Sequence, residues 1–270
     1  MSQAGLVSAA QAFDSIAGDF DARFHPWRSV EAQRRSVRQA LAGTFAPGTR
    51  LIEVGGGTGD DAMWLASQGR DVLLTDASPA MIAAASAKCG ARVRCAVAAA
   101  EDFGELSGKL RDEPRFDGAY SVFAALNCVS DLRPFAQGIA RLLKPGAPLL
   151  LVTFGTCCPG EMVVEALRGR PQNVFRRFCR GDVPARLGGQ QFTVRYHRKR
   201  DLARMLAPYF DLQGREGIGV FVPPSAAEPW ISSRPRLLGV LEAADRLATR
   251  PLAALGDHIL YRFVRNGTPA

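Results

Sequence analysis

The stretch Leu51-Ile52-Glu53-Val54-Gly55-Gly56-Gly57-Thr58-Gly59-Asp60 constrains this chain more than any other. An apolar strand runs straight into a loop with glycine at 55, 57 and 59, and a helix follows with Asp60 in its first turn. Lacking a Cβ, glycine takes positive φ and lets a ligand lie against bare backbone. The free N–H groups of the next helix point at that ligand. A second apolar strand, Val72-Leu73-Leu74-Thr75, closes on Asp76, 21 positions after Gly55. An acidic side chain at that spacing accepts both hydroxyls of a ribose. Together they predict a strand–loop–helix–strand unit around a nucleoside-containing ligand.

The loop narrows the ligand. A dinucleotide fingerprint reads G-x-G-x-x-G, whereas the spacing here is G-x-G-x-G, and no Lys-Ser/Thr follows to cradle phosphates. Glu53, two residues before Gly55, would repel a pyrophosphate and suits a cation such as an amine or a sulfonium.

Strands are expected at 50–54, 71–75, 92–97, 116–122 and 147–154, with helices between them at 60–68, 79–89, 102–111 and 132–143. Such alternation predicts an α/β, doubly wound parallel sheet with right-handed crossovers and helices on both faces. Ligands bind such sheets at the carboxyl ends of the strands. Apolar residues at near-helical spacing predict helices over 8–24 and 29–44. Beyond Phe154 the pattern loosens: a strand-like piece at 192–196, a helix at 199–207, a strand at 210–221, a mostly helical stretch at 227–255 and a last strand at 258–265. The expected segments are 1–44, N-terminal helices covering the pocket; 45–155, the cofactor-binding core; 156–190, a lid insertion; 191–222, a continuation of the core; 223–257, a helical lid insertion; and 258–270, the last strand and tail.

Three further stretches join the glycine loop. Asp76-Ala77-Ser78-Pro79-Ala80-Met81, Phe116-Asp117-Gly118-Ala119-Tyr120-Ser121 and Leu142-Leu143-Lys144-Pro145-Gly146 stand in order along the chain. With the loop, they resemble the motifs of the class I S-adenosylmethionine-dependent methyltransferases, of the small-molecule type with a ubiquinone/menaquinone methyltransferase-like core. The resemblance implies a seven-stranded, mostly parallel Rossmann-like sheet whose last strand is antiparallel and inserts between the fifth and sixth. It also implies S-adenosyl-L-methionine as cofactor and S-adenosyl-L-homocysteine as product. By this resemblance Glu53, Gly55, Gly56, Gly57, Thr58 and Gly59 form the loop, Asp76 holds the ribose, Ala77 and Met81 flank the adenine, and Ala100-Glu101-Asp102 reads its edge. Relatives often carry an acidic residue where this chain has Ala99. Phe123 is expected to line the methionine arm. In that topology the segments after strands five and six, and also His258, lie over the cofactor.

A general base assists transfer to a phenol or amine, and histidine suits neutral pH. His258, following Asp257, and His25, in the aromatic segment Phe24-His25-Pro26-Trp27, are the candidate catalytic residues; His197 is a weaker one. Phe24, Trp27, Asn127, Tyr196, Trp230 and the pair Arg176-Arg177 are candidate substrate contacts. The vicinal Cys157-Cys158 and the other four cysteines show no metal-ligand spacing, so no metal is expected and the thiols read as reduced.

The expected function is methyl transfer to an oxygen or nitrogen of a small-molecule acceptor, of natural-product or aromatic type. An RNA or protein methyltransferase, and a cofactor-binding protein without methyl transfer, are the alternatives. The net charge of +8 comes largely from scattered arginines without a long basic run, so nucleic acid is not an expected partner. No apolar run approaches a membrane span, and no basic, then apolar N-terminal signal is visible, so no membrane partner and a cytoplasmic location are expected. Either a monomer or a homodimer is expected.

Overall fold

The computed structural model describes residues 5–270; the N-terminal signal reading and the start of segment 1–44 involve residues 1–4, outside the described residues. The elements run α1 (Ala9–Asp14), α2 (Phe20–Phe24), α3 (Arg28–Thr44), β1 (Arg50–Val54), α4 (Asp60–Ser67), β2 (Asp71–Asp76) and α5 (Pro79–Cys89). They continue with β3 (Arg94–Val97), α6 (Phe103–Lys109), β4 (Gly118–Ser121), α7 (Arg133–Leu142) and β5 (Pro148–Phe154). Next come α8 (Pro159–Leu167), α9 (Pro171–Val174), β6 (Asp182–Leu187), β7 (Gln190–Arg195) and α10 (Lys199–Leu206). The last are β8 (Phe210–Ile218), α11 (Pro235–Ala248) and β9 (His258–Arg265).

Seven strands form one sheet in the order β3-β2-β1-β4-β5-β9-β8. β1 to β5 pair in parallel, and β9 runs antiparallel between β5 and β8. This is the seven-stranded sheet with an inserted last strand that the motifs implied. Successive side chains of a strand point to opposite faces, and the sheet uses both. Ile52, Leu149 and Leu151 join one core with Phe103 and Phe135 from α6 and α7. Leu51, Leu150 and Val152 join the other with Val37, Leu65 and Ala85 from α3, α4 and α5.

Three departures bear on the site. The helix expected over 8–24 is two short helices: Ser8 caps the first through Gln11 N, and residues 15–19, with Gly18, break the run. The strand-like piece near 192–196 does not belong to the sheet. It is β7 of a separate hairpin with β6, so the boundary drawn at 190/191 cuts through one unit. Its turn, Gly188-Gly189, has φ of +56° and +81°, the left-handed pair that a tight hairpin favours. Finally, segment 223–257 and α8 fold against α3 instead of over the glycine loop. Ala32 of α3 packs with Val222, Ala227, Ile231 and Leu238, joined by Val164 and Leu241.

Candidate active site

The loop after β1 is shaped by Asp76 as much as by its glycines. Gly55 N and Gly56 N both donate to Thr75 O, at 2.8 and 3.0 Å. The Asp76 carboxylate then accepts Gly57 N on Oδ2 at 2.9 Å and Ser78 N on Oδ1 at 2.8 Å. Burial raises the Asp76 pKa, against the pull of these backbone donors. Gly57, at φ +54°, has no atom within 4 Å of where a Cβ would stand, whereas a Cβ on Gly55 would meet that of Ala125 at 2.2 Å. One glycine keeps a surface bare; the other permits a close approach to the turn after β4.

That surface faces a cavity of about 550 Å³. Gly55, Gly56, Gly57, Thr58, Asp76, Ala77, Met81, Ala100, Glu101, Asp102 and Phe123 all line it. The structure therefore brings together eleven of the thirteen residues predicted for the cofactor. Gly59 is turned inward, where a Cβ would meet Cys89 Sγ at 2.9 Å. Glu53 is fully buried beneath the loop, with neither carboxylate oxygen hydrogen-bonded. Burial and the nearby charge of Asp61 push its pKa well above the usual range, so the carboxylate expected to face a cation is itself resistant to ionisation.

The roof comes from the N-terminal segment and the hairpin. Val7 to Ala10, Phe13, Phe20 and Arg34 line the cavity from one side, and Thr193 of β7 from another. No residue of 156–190 or 223–257 lines it, which corrects the expectation that both insertions cover the cofactor pocket. α1 contacts α5 and β7, closing the space that those insertions were expected to fill.

Phe123 and Ala124 carry φ of +52° and +65°. Left-handed backbone at non-glycine residues costs on the order of 1–3 kcal/mol each and persists where the surroundings over-determine it. Here Ala124 N is held by Val152 O at 3.0 Å. The kink presents the Phe123 ring to the cavity, with Arg34 over its face at 5.1 Å and His258 at its edge at 5.9 Å.

Arg34 also belongs to an ion cluster at the start of α4. Its Nη1 donates to Asp60 Oδ2 at 2.6 Å, while Lys88 Nζ reaches Asp60 Oδ1 at 2.8 Å and also Asp21. His25 Nε2 lies 2.8 Å from the same Asp60 Oδ2. Burial opposes ionisation of Asp60, but hydrogen bonds from Lys88 and His25 and the charge of Arg34 hold its pKa far below the usual range. Asp21, His25 and Asp60 offer three ligand atoms within 4.8 Å of one another. Their two carboxylates already carry Lys88 and Arg34, which a metal ion would have to displace.

His258 lies one ring behind the cavity. It stacks on Phe154 at 5.0 Å, and its Nδ1 is 2.9 Å from Gln33 Oε1. A chain of obligate donors fixes its proton. Arg177 Nη2 donates to Asp257 Oδ1 at 2.6 Å, and Gln33 Nε2 donates to Asp257 Oδ2 at 3.1 Å. With the Gln33 amide thus oriented, its oxygen must accept, so Nδ1 of His258 carries the hydrogen and Nε2 keeps the lone pair. Burial lowers the His258 pKa despite the neighbouring Asp257, which favours this neutral tautomer. Arg177 is further tied to Glu161 and to the carbonyls of Gly155 and Asp257, and stands over the rings of Phe154 and Tyr196.

This network reassigns several predicted contacts. Arg177 and Tyr196 are buried within it. Asn127 is fully buried as a brace, accepting Phe154 N at 2.9 Å and donating to Arg195 O. Phe24 and Trp27 form an edge-to-face pair at 5.0 Å outside the cavity, and it is Phe20, tilted against Phe24 at 4.8 Å, that lines it. Trp230 is 52% exposed and remote from the lining. His197 is buried, its Nε2 donating to the carbonyls of Val129 at 2.9 Å and Leu126 at 3.2 Å. Neither His25 nor His258 lines the cavity. The sequence carries no spacing that marks Arg34 or Thr193. For Phe20 a signal existed, the aromatic column Phe13, Phe20 and Phe24 on the N-terminal segment.

Bare glycine backbone, the Asp76 carboxylate, Met81 and Ala100 thus line one cavity at the carboxyl edge of a seven-stranded sheet. Residues 51–146 match the family described as "Methyltransferase domain". The core of this chain is therefore similar to that methyltransferase family. A curated relative, "Ubiquinone/menaquinone biosynthesis C-methyltransferase UbiE" from Acidiphilium cryptum, is 32% identical over 151 residues, covering 53% of this chain and 57% of that protein. The chain thus spans little more than half the length of that relative. Two solved structures share the fold. A TehB-like SAM-dependent methyltransferase from Corynebacterium glutamicum has a TM-score of 0.54 at 14% identity, covering 93% of this chain and 98% of that one. The CcbJ methyltransferase from Streptomyces caelestis has a TM-score of 0.55 at 14% identity, covering 88% and 90%.

Proposed function

We propose that this protein binds S-adenosyl-L-methionine in the cavity and transfers its methyl group to an oxygen or nitrogen of a small-molecule acceptor. The observation that carries the reading is the roofed cavity itself. Its volume of about 550 Å³ lies within the usual range for small-molecule sites, and α1 and the hairpin cover the edge that a polymer would need open. The bound cofactor would supply a sulfonium methyl already activated for displacement. Gly57 would receive it on open backbone, Asp76 would accept the ribose hydroxyls, and Met81 with Ala100 would sandwich the base. At the methyl end Phe20 and Phe123 exclude water, and Arg34 offers a cation to the carboxylate of the amino-acid arm. Holding the acceptor in line supplies much of the rate through proximity and orientation.

In this reading His258 is the base, because it is kept neutral with Nε2 free. It stands one ring from the cavity, so the acceptor's reacting atom approaches beside Phe123. A second reading, transfer to carbon, is favoured by the absence of any imidazole from the cavity lining and by the similarity to a protein named as a C-methyltransferase. Titration calorimetry with S-adenosylhomocysteine, followed by mass spectrometry on panels of small acceptors, RNA and protein, tests the proposal. It expects product binding and methylation of a small acceptor. No binding of cofactor or product refutes it. Methylation confined to RNA or protein refutes the acceptor class. His258→Gln should reduce turnover while leaving product affinity unchanged; full turnover would assign transfer to positioning alone.

A further inference from the structure

Among the described residues, nine of the twelve large apolar side chains that stand exposed lie in segments 156–180 and 223–257. Their charges are sorted with equal asymmetry. Glu161, Glu165, Glu228, Asp245 and Asp257 are buried, and Glu242 is half-buried and paired with Arg35 at 2.7 Å. Seven arginines of the same segments are exposed. The outer surface of these insertions is therefore apolar and cationic, without an exposed carboxylate.

α11 presents this most clearly. Its inner face packs Leu238 and Leu241 into the cluster around Ala32 and buries Asp245, which holds Phe221 N and Val222 N. Arg236, Val240, Ala243 and Leu247 fall at i, i+4, i+7 and i+11, one line along the opposite face. Val240 is 66% exposed and Leu247 83%. A helix apolar on both faces is not the pattern of a solvated surface helix. Arg246 and Arg250 flank the line, and just before the helix Arg234 stands over Trp230 at 4.3 Å.

We propose that the outer face of α11 docks on the surface of an anionic lipid bilayer, with Val240, Leu247 and Trp230 entering the interface and the arginines meeting the headgroups. An apolar stripe edged by arginine, with tryptophan at one end, is the composition of interfacial helices. Two copies of this face would bring like charges together, in a chain whose net charge is already +8, which disfavours self-association through it. A free polyanion would use the arginines but leave the stripe in water. The expectation of no membrane partner rested on the absence of a spanning run. No helix of the described chain is long and apolar enough to cross a membrane, and an interfacial face needs none. The docked face is joined to the catalytic domain through α3, whose Ser29 N is held by Glu228 at 3.0 Å and which carries Arg34 to the cavity.

The test is co-sedimentation of the full chain with phosphatidylcholine vesicles, with and without phosphatidylserine. Each arginine near an anionic surface contributes about fivefold to partitioning, so at least tenfold stronger binding to the anionic vesicles is expected, and it should weaken with added salt. The double variant Val240→Asp/Leu247→Asp should lose at least tenfold. Both positions are exposed, and unchanged thermal unfolding and S-adenosylhomocysteine affinity would certify the fold. Equal sedimentation with both vesicle types, or by the variant, overturns the proposal. So does a dimer seen by analytical ultracentrifugation that the variant abolishes, or capture by immobilised polyglutamate without vesicle binding. None of these readouts depends on methyl transfer, so they stand apart from the functional reading.

Discussion

Asp76→Asn probes the centre of the site. The aspartate is placed to do two jobs at once: its two oxygens separately accept Gly57 N and Ser78 N, and the residue lines the cavity. Asparagine keeps the shape but has one acceptor oxygen. One backbone N–H must then face an NH₂ group, at about 2 kcal/mol. For a chain of this size that lowers Tm by about 4–8 °C. On the ligand side, hydroxyl bonds to a carboxylate lose part of their charge-assisted strength. A loss of about 3 kcal/mol over two hydroxyls weakens S-adenosylhomocysteine about 150-fold. The pH dependence gives a second check. Because burial raises the Asp76 pKa, its protonated form appears above the ordinary aspartate range. Affinity in the parent should therefore begin to fall at a correspondingly higher pH on acidification, and the variant should lack that limb. Calorimetry of binding and scanning calorimetry of unfolding measure both. A lowered Tm with affinity within twofold of the parent would refute the ribose role and leave Asp76 as a loop brace.

Three further outcomes follow from the geometry. Gly57→Ala should weaken S-adenosylhomocysteine at least tenfold while costing only about 1–2 kcal/mol for its positive φ, whereas Gly55→Ala, driven against Ala125, should chiefly destabilise the fold; equal affinity of Gly57→Ala and parent in calorimetry would contradict the open cradle. Arg177→Met leaves Glu161 and Asp257 buried without their shared cation and should cost about 3–5 kcal/mol in urea unfolding; a loss below about 1 kcal/mol would mean the network is not a unit. His197 and His258 both have lowered pKa values, burial being the main cause. Below the ordinary histidine pKa the unfolded chain binds protons that these imidazoles refuse, so stability should fall as pH drops from about 6.5 toward 5, by up to about 1.4 kcal/mol per pH unit for each. Nitrogen NMR of His258 at neutral pH should show a ring protonated at Nδ1; a hydrogen on Nε2 would break the inferred chain from Arg177.

The alternating strands and helices and the loop-to-Asp76 geometry were legible in the chain because they depend on short-range signals, whereas the inserted antiparallel strand was implied by the family resemblance. Apolar runs set strands, glycines at 55 and 57 set a turn, and a carboxylate 21 residues on meets that turn through one parallel strand pair. Residues that act through distant partners were not legible in that way. Glu53 looked like a ligand because it is acidic and next to the loop; the packing of Gly56 and Leu74 over it decided otherwise. Asn127 and Arg177 looked available because they are polar near a carboxyl edge, yet buried donors and acceptors must be paired, and their partners lie up to 80 residues away. Arg34 and Thr193 entered the cavity only because α3 and the β6–β7 hairpin fold across it.

The sequence by itself therefore determined the loop side of the cavity: a backbone turn and one carboxylate, both of them local. The tertiary structure decided the rest. It put the N-terminal helices, not the two insertions, over the cavity, and it oriented the His258 proton through Gln33, Asp257 and Arg177. It also buried the carboxylates of segments 156–180 and 223–257 at least halfway while leaving seven of their arginines and nine of their large apolar side chains exposed. Those outcomes depend on which surfaces bury one another, a many-body result that no local spacing encodes.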